Sequence, residues 1–283
     1  MIPVAFDYAR PSTVEDAVAA LASAGEDAKI LAGGQSLLPV LRLRLAAPTT
    51  VIDLGGVAGL RGIRVDGDEL VLGAMATHAD VAASPLVAQE AALLSVVAAT
   101  IGDRQVRHRG TLGGSLAHAD PAGDLPMAAV ALDATLVVAG PSGRRSIAAR
   151  DFFTGIFTTV LEPDEVLVEV RIPRLTGWTA RYEKFHRTVQ AWALVGAAAT
   201  VRMENGAIAQ ARVALTNMGS VPIRASEVEA ALAGAADLGT VRSATAPVGE
   251  GTSPPSDLSG SAEYRRHLAG VLAGRAVAGA AGL

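Results

Sequence analysis

Two segments with paired glycines, Ala32-Gly33-Gly34-Gln35-Ser36 and Thr111-Leu112-Gly113-Gly114-Ser115, restrict this chain more than any other part of it. Each lies beside apolar sequence, and neither carries a side chain bulky enough to keep a ligand off the main chain. Glycine tolerates positive φ and lets backbone N–H groups converge on one point, which suits a phosphate held without a metal. Two such loops far apart in sequence point to a diphosphate gripped from two sides. A nucleotide-type cofactor is the first reading; the alternative is two tight turns in a chain with 30 glycines.

The common phosphate motifs are missing. No G-x-x-x-x-G-K-[ST] occurs, and no G-x-G-x-x-G opens a helix near the N-terminus, which argues against Walker and Rossmann sites. Ser36 is followed by Leu37-Leu38 and lacks the second glycine of a nucleophile elbow. The 283 residues include no cysteine, which excludes disulfides, thiolate zinc sites, cysteine nucleophiles and cysteine-ligated iron–sulfur clusters. Any electron chemistry must then run through an organic cofactor. The five histidines are scattered without metal-binding spacing, so no metal site is expected. Net charge −4 argues against a nucleic-acid surface. No apolar run reaches the roughly 20 residues that span a bilayer, and the first residues lack a signal peptide's basic and apolar regions. A bacterial cytoplasmic protein is expected. Lys29 and Lys184 are the only lysines among 24 cationic residues, a bias that fits GC-rich coding.

Along the chain, Ser12 is the expected N-cap of a helix, with Glu15 completing a capping box and Val14, Ala17, Val18 and Leu21 on its apolar face. Strands are expected at 29–32 and 51–54, a hairpin over 63–73 turning at Asp66-Gly67-Asp68, and one helix over 85–99. A helix at 128–132 precedes strands at 135–138 and 166–173, then a linker at 174–177. Beyond it, 193–202 and 207–215 pair about the turn Glu204-Asn205-Gly206. Helices follow near 225–232 and 264–278, with a loop over 247–261. Mixed elements with antiparallel pairs give an α+β class.

The run from Ile101 to Pro126, containing Arg107-His108-Arg109-Gly110-Thr111-Leu112-Gly113-Gly114-Ser115 and Asp120-Pro121-Ala122-Gly123-Asp124, resembles a signature of the flavoprotein (medium) subunits of molybdenum hydroxylases. These belong to the carbon-monoxide dehydrogenase and xanthine dehydrogenase family. The segment Leu31 to Pro39, the stretch Gly73 to His78, Tyr182-Glu183-Lys184-Phe185 and the region from Tyr264 to Ala276 fit the same family. The likeness covers essentially the whole chain. It implies a two-lobed FAD-binding domain of the p-cresol-methylhydroxylase type over residues 1–174, with lobes of about 1–56 and 57–174. A smaller C-terminal α+β domain over 178–283 would follow.

The resemblance also implies that Ala32, Gly33, Gly34, Gln35 and Ser36, with Thr111, Leu112, Gly113, Gly114 and Ser115, wrap the pyrophosphate and ribityl chain of non-covalent FAD, largely through main-chain N–H groups. Ser115 stands where the family often has asparagine. Thr77 and Arg107 are carried over as further cofactor-binding residues. Asp124 matches an acid set against the cofactor's hydroxyls, or else caps the helix starting near Pro126. Leu167 matches an apolar cofactor contact, or else is ordinary core. Lys184 matches a lysine near the flavin end, where a cation favours a negatively charged reduced flavin. Trp192 is expected to pack at the cofactor domain's edge.

In such a complex a molybdenum-cofactor large subunit oxidises the substrate and a two-iron two-sulfur small subunit relays electrons to the flavin, commonly within a dimer of heterotrimers. A chain without cysteine fits that division of labour. No catalytic residue is expected in this chain. The alternatives are a stand-alone flavin reductase on the same fold and a cofactor-free scaffold.

Overall fold

A computed structural model describes residues 2–283. Three strands, Asp7–Ala9, Ala28–Leu31 and Thr50–Asp53, form a parallel sheet with Thr50–Asp53 in the middle. The helix Val14–Ala24 connects the first two. Its N-cap is Thr13, whose hydroxyl accepts from the Asp16 amide at 3.0 Å, one residue later than the Ser12 cap expected from sequence. Both residues can cap; burial of Val14, Ala17, Val18 and Leu21 fixes which one does.

A five-stranded antiparallel sheet follows in the order Ile63–Asp66, Glu69–Gly73, Val166–Pro173, Thr135–Gly140, Gly143–Ala148. A register shift between Leu167 and Glu169 lets its central strand serve two cores. Val166 and Val168 pack with the helix Val14–Ala24, whereas Leu167, Val170 and Ile172 face the helices inserted between Gly73 and Thr135. The parallel unit is thereby fixed to one face of the second sheet.

The helix expected over 85–99 is two helices, Pro85–Glu90 and Ala92–Ala99, broken where Ala91 takes φ −149° and ψ 59°. Glu90 explains the break. Its buried carboxylate accepts from Arg174 Nε at 2.9 Å, Arg174 Nη2 at 3.1 Å and Thr176 Oγ1 at 2.6 Å, and its carbonyl accepts from the Leu175 amide. Hence the linker 174–177 is pinned to the second unit.

The third sheet is antiparallel, Thr179–Phe185, Val195–Glu204, Ala207–Thr216, Ile223–Arg224. Asn205 and Gly206, both at positive φ, turn its main hairpin as expected. One face packs on the 20-residue helix Ala262–Ala281. Tyr182, Ala198 and Ala214 on the other face join the core of the second unit. The strand Thr179–Phe185 and the helix Leu238–Thr245 were not expected from sequence. Among the described residues no helix is long and apolar enough to cross a membrane.

Candidate functional site

The carboxyl ends of the three parallel strands open on one cleft. Arg10 follows Asp7–Ala9, Ala32 follows Ala28–Leu31, and Asp53 ends Thr50–Asp53; all three line a cavity of about 130 Å³. Ligands of open parallel sheets sit outside these strand ends. The opposite wall comes from the second unit: Arg61, Met75, Thr77, His108, Arg109 and Thr111, with Thr77 and Thr111 joined by an isolated antiparallel bridge. Three arginines and a histidine thus face a single carboxylate. That carboxylate is already engaged, accepting from the Tyr8 hydroxyl at 2.6 Å and the Gly55 amide at 2.7 Å and lying 3.8 Å from Arg10 Nε. The lining favours an anion.

The two glycine segments meet at this cleft in different roles. In the first, Gly34 has φ 78°, and the amides of Gly33, Gly34, Gln35 and Ser36 have no hydrogen-bond partner among the described residues. Four adjacent free amides suit a bound diphosphate. The second segment is no open loop: Leu112, Gly113, Gly114 and Ser115 form the first turn of a helix, Leu112–His118, capped by Thr111. Its amides are spent inside the protein, Leu112 on the Ala76 carbonyl, Gly113 on Ala74, Gly114 on Thr111 Oγ1 and Ser115 on the Thr111 carbonyl. The glycines also permit close approach of backbones: a Cβ on Gly33 would collide with the Arg109 carbonyl, and one on Gly113 would lie 2.5 Å from the Ala74 Cβ.

Arg107 turns away from the cleft. Its Nη1 donates to the carbonyls of Ile101 at 2.9 Å and Gly102 at 3.3 Å, while its neighbours His108 and Arg109 line the cavity. Leu167 lies in the core of the second unit. Trp192 is 57% exposed and does not pack as expected. Arg10, Arg61 and Asp53 were missed because they come from segments with no shared motif; only the chain path brings them together.

Asp124 does not cap its helix. It is the first residue of Asp124–Ala131, whose N-cap is Gly123. Its buried carboxylate accepts from Lys184 Nζ at 2.7 Å and from the Tyr182 hydroxyl at 2.5 Å. Burial, then the Asp124 charge, push the Tyr182 hydroxyl well above the ordinary phenol range, so it stays a donor. Period-two alternation puts Tyr182 and Lys184 on one face of their strand. Lys184 is accordingly not a free cation.

His78, one residue after Thr77, is buried with Nδ1 lacking a partner among the described residues. Burial, then the charge of Arg107, lower it from 6.5 to about 4. The unfolded chain binds this proton more readily, so stability falls as pH drops from above 6.5 toward 4. The expected loss from this residue is about 2 kcal/mol by pH 5. His78→Gln should show a smaller fall in Tm between pH 7 and pH 5 than the wild type; equal falls would deny the effect.

Comparison with known families decides what the cleft belongs to. The FAD binding domain in molybdopterin dehydrogenase matches residues 4–175, and the CO dehydrogenase flavoprotein C-terminal domain matches residues 180–280. The chain belongs to the flavoprotein subunits of molybdenum hydroxylases. This medium subunit is 41% identical over 281 residues to the carbon monoxide dehydrogenase medium chain of Hydrogenophaga pseudoflava, covering 98% of this chain and 97% of that one. It is 37% identical to the 6-hydroxypseudooxynicotine dehydrogenase complex subunit alpha of Paenarthrobacter nicotinovorans, covering 98% and 95%. Its fold matches reconstituted CO dehydrogenase from Oligotropha carboxidovorans with TM-score 0.96, 40% identity and coverage of 100% and 99%. FAD is the family's cofactor, and the medium subunit acts as an oxidoreductase component within a complex. The free amides beside a cationic cleft fit its diphosphate.

Proposed function

We propose that this chain carries non-covalent FAD as the electron-transfer subunit of a molybdenum-containing hydroxylase. It takes electrons from a two-iron two-sulfur chain and delivers them to a terminal acceptor. The observation that carries the reading is the cleft, where four unpartnered amides and three arginines meet at the ends of parallel strands. FAD, when bound, supplies a group that accepts single electrons and releases pairs. The chain's own residues do the rest. The amides of Gly33 to Ser36 bind the diphosphate with Arg10, Arg61 and Arg109, Thr77 and Thr111 line its passage, and the helix starting at Leu112 forms the wall. The buried pair Asp124–Lys184 lies toward the flavin end, and Tyr182 holds the carboxylate in place.

The division 1–174 and 178–283 separates a cofactor domain from a C-terminal domain that supports Lys184 from the far side. With no cysteine in the chain, iron–sulfur clusters of the family's kind must sit on other subunits. The partners are a molybdenum-cofactor large subunit and an iron–sulfur small subunit, assembled as a dimer of heterotrimers in the cytoplasm. Acid precipitation of the holoprotein should release its yellow chromophore; flavin retained in the pellet would contradict non-covalent binding. The electron path is tested by assembling the chain with its two partner subunits. The large subunit's substrate should bleach the flavin only when the small subunit is present, and bleaching without it would overturn the relay.

A further inference from the structure

Where the third sheet meets the second unit, one row of its residues is uneven. Lys184 pairs with Gly196 and Gly196 with Thr216, so these three stand side by side across neighbouring strands. Gly196 lies inside the strand Val195–Glu204, where a glycine weakens the strand and marks a close approach. A Cβ there would lie 2.5 Å from Tyr182 Oη, 2.6 Å from Thr216 Cγ2 and 3.0 Å from Tyr182 Cε2. Gly196 is not among the residues of positive φ, so the position demands space and not conformational freedom. Tyr182 pairs with Ala198, which makes Gly196 its diagonal neighbour, within reach of an aromatic ring. The Tyr182 hydroxyl therefore fills the place that a side chain at 196 would take. From there it donates to Asp124 at 2.5 Å.

Thr216 closes the other side. It is fully buried, and its Oγ1 lies 2.8 Å from the Gly123 carbonyl and 3.0 Å from that of Pro121, on the segment that leads into Asp124. The Asn217 amide donates to the same Pro121 carbonyl at 2.9 Å, and the Asn217 side chain donates to the Ala193 carbonyl at 2.7 Å. Thr216 cannot swing aside without breaking its bonds to that segment. A methyl group at 196 is thus caught between a fixed wall and a phenol whose hydroxyl is held by Asp124 alone among the described residues. The phenol yields. Asp124 is then left with Lys184 as its one side-chain donor, and more of its negative charge is unbalanced.

We propose that the Tyr182 hydroxyl, by donating to Asp124, raises the reduction potential of the bound flavin, and that Gly196 is the positioning residue that gives this hydroxyl its place. The inference rests on the functional reading above, which sets the Asp124–Lys184 pair toward the flavin end. A hydrogen bond to a carboxylate offsets part of its charge, and a less negative surrounding favours an anionic reduced flavin. The test measures the flavin midpoint potential and Tm of the FAD-loaded chain as wild type, Tyr182→Phe, Gly196→Ala and the double variant. Both single variants should lower the potential, each by less than Lys184→Met, which removes a whole charge. The double variant should lie no lower than Tyr182→Phe, because both changes remove the same donor. Tm should fall most in Gly196→Ala and recover in part in the double variant, where no Oη stands in the way of the methyl group. Should Gly196→Ala fail to fold, Tyr182→Phe and the double variant decide. An unchanged potential in Tyr182→Phe, a wild-type potential in folded Gly196→Ala, or additive lowering in the double variant each overturn the proposal. The functional reading falls separately: it is overturned where Lys184→Met, too, leaves the potential of a folded, FAD-loaded protein unchanged.

Discussion

Gly33→Val is expected to strip the protein of FAD and loosen its first two units from each other. A Cβ at this position runs into the Arg109 carbonyl and comes within 2.8 Å of the Gly110 Cα, so backbone must move. No flexible side-chain tip can yield instead. Overpacking of this kind costs about 1–3 kcal/mol before any ligand contact is lost. Movement here also displaces the free amides of Gly33 to Ser36 from the cationic wall, so FAD affinity should fall by roughly tenfold to a hundredfold or more. Gly62→Ala is the matched control, because nothing lies within 4 Å of its added methyl and its φ is ordinary. Flavin fluorescence titration compares the three proteins. Unchanged affinity in Gly33→Val would mean that the segment is a mere turn.

The second large effect concerns Asp124 and Lys184. Their side chains are 3% and 7% exposed and their charges lie 2.7 Å apart. Removing one partner from a buried pair costs about 3–5 kcal/mol, because the other charge is stranded. Lys184→Met should therefore destabilise the protein strongly, and Lys184→Met/Asp124→Asn should recover much of the loss. The flavin potential supplies a second, independent axis. With the pair beside the flavin, Lys184→Met leaves a net negative site that disfavours the reduced form and lowers the potential. Asp124→Asn should raise it, and the double variant should return near wild type. At an effective dielectric near 20, one unbalanced charge at 4–8 Å is worth roughly 2–4 kcal/mol before solvent screening. That is a shift of tens of millivolts in a two-electron couple. Potentials that stay fixed while stability follows the cycle would make the pair a purely structural clamp.

Sequence carried the outline of this fold where one physical signal dominated. Alternation marked 166–173, and the Asn205-Gly206 pair marked the main C-terminal turn. Composite signals were harder to read. Leu112 to Ser115 looks like a loop because glycine is a poor helix former, yet the Thr111 cap and the bonds to Ala74 and Ala76 hold it as a helical turn. The break at Ala91 has no local cause; it follows from a buried Glu90 bonded to residues 84 and 86 positions away. Thr179–Phe185 escaped notice because Arg181, Glu183 and Lys184 read as surface. At the site, the glycines were visible, but not that only the first segment keeps its amides free. The arginines of the cleft stand in three separate segments, and Arg109, which lines the cavity, carries no signal that sets it apart from its neighbour Arg107.

The most direct test of the account is a crystal structure of the FAD-loaded chain. The diphosphate oxygens are expected to accept from the amides of Gly33 to Ser36 at the ends of the three parallel strands, with Arg109 beside them. The amides of Leu112 to Ser115 should remain bonded within the protein, and Asp124, Lys184 and Tyr182 should lie toward the isoalloxazine. A diphosphate bound away from the Gly33–Ser36 amides, or held by the second segment after its helical turn opens, would contradict it.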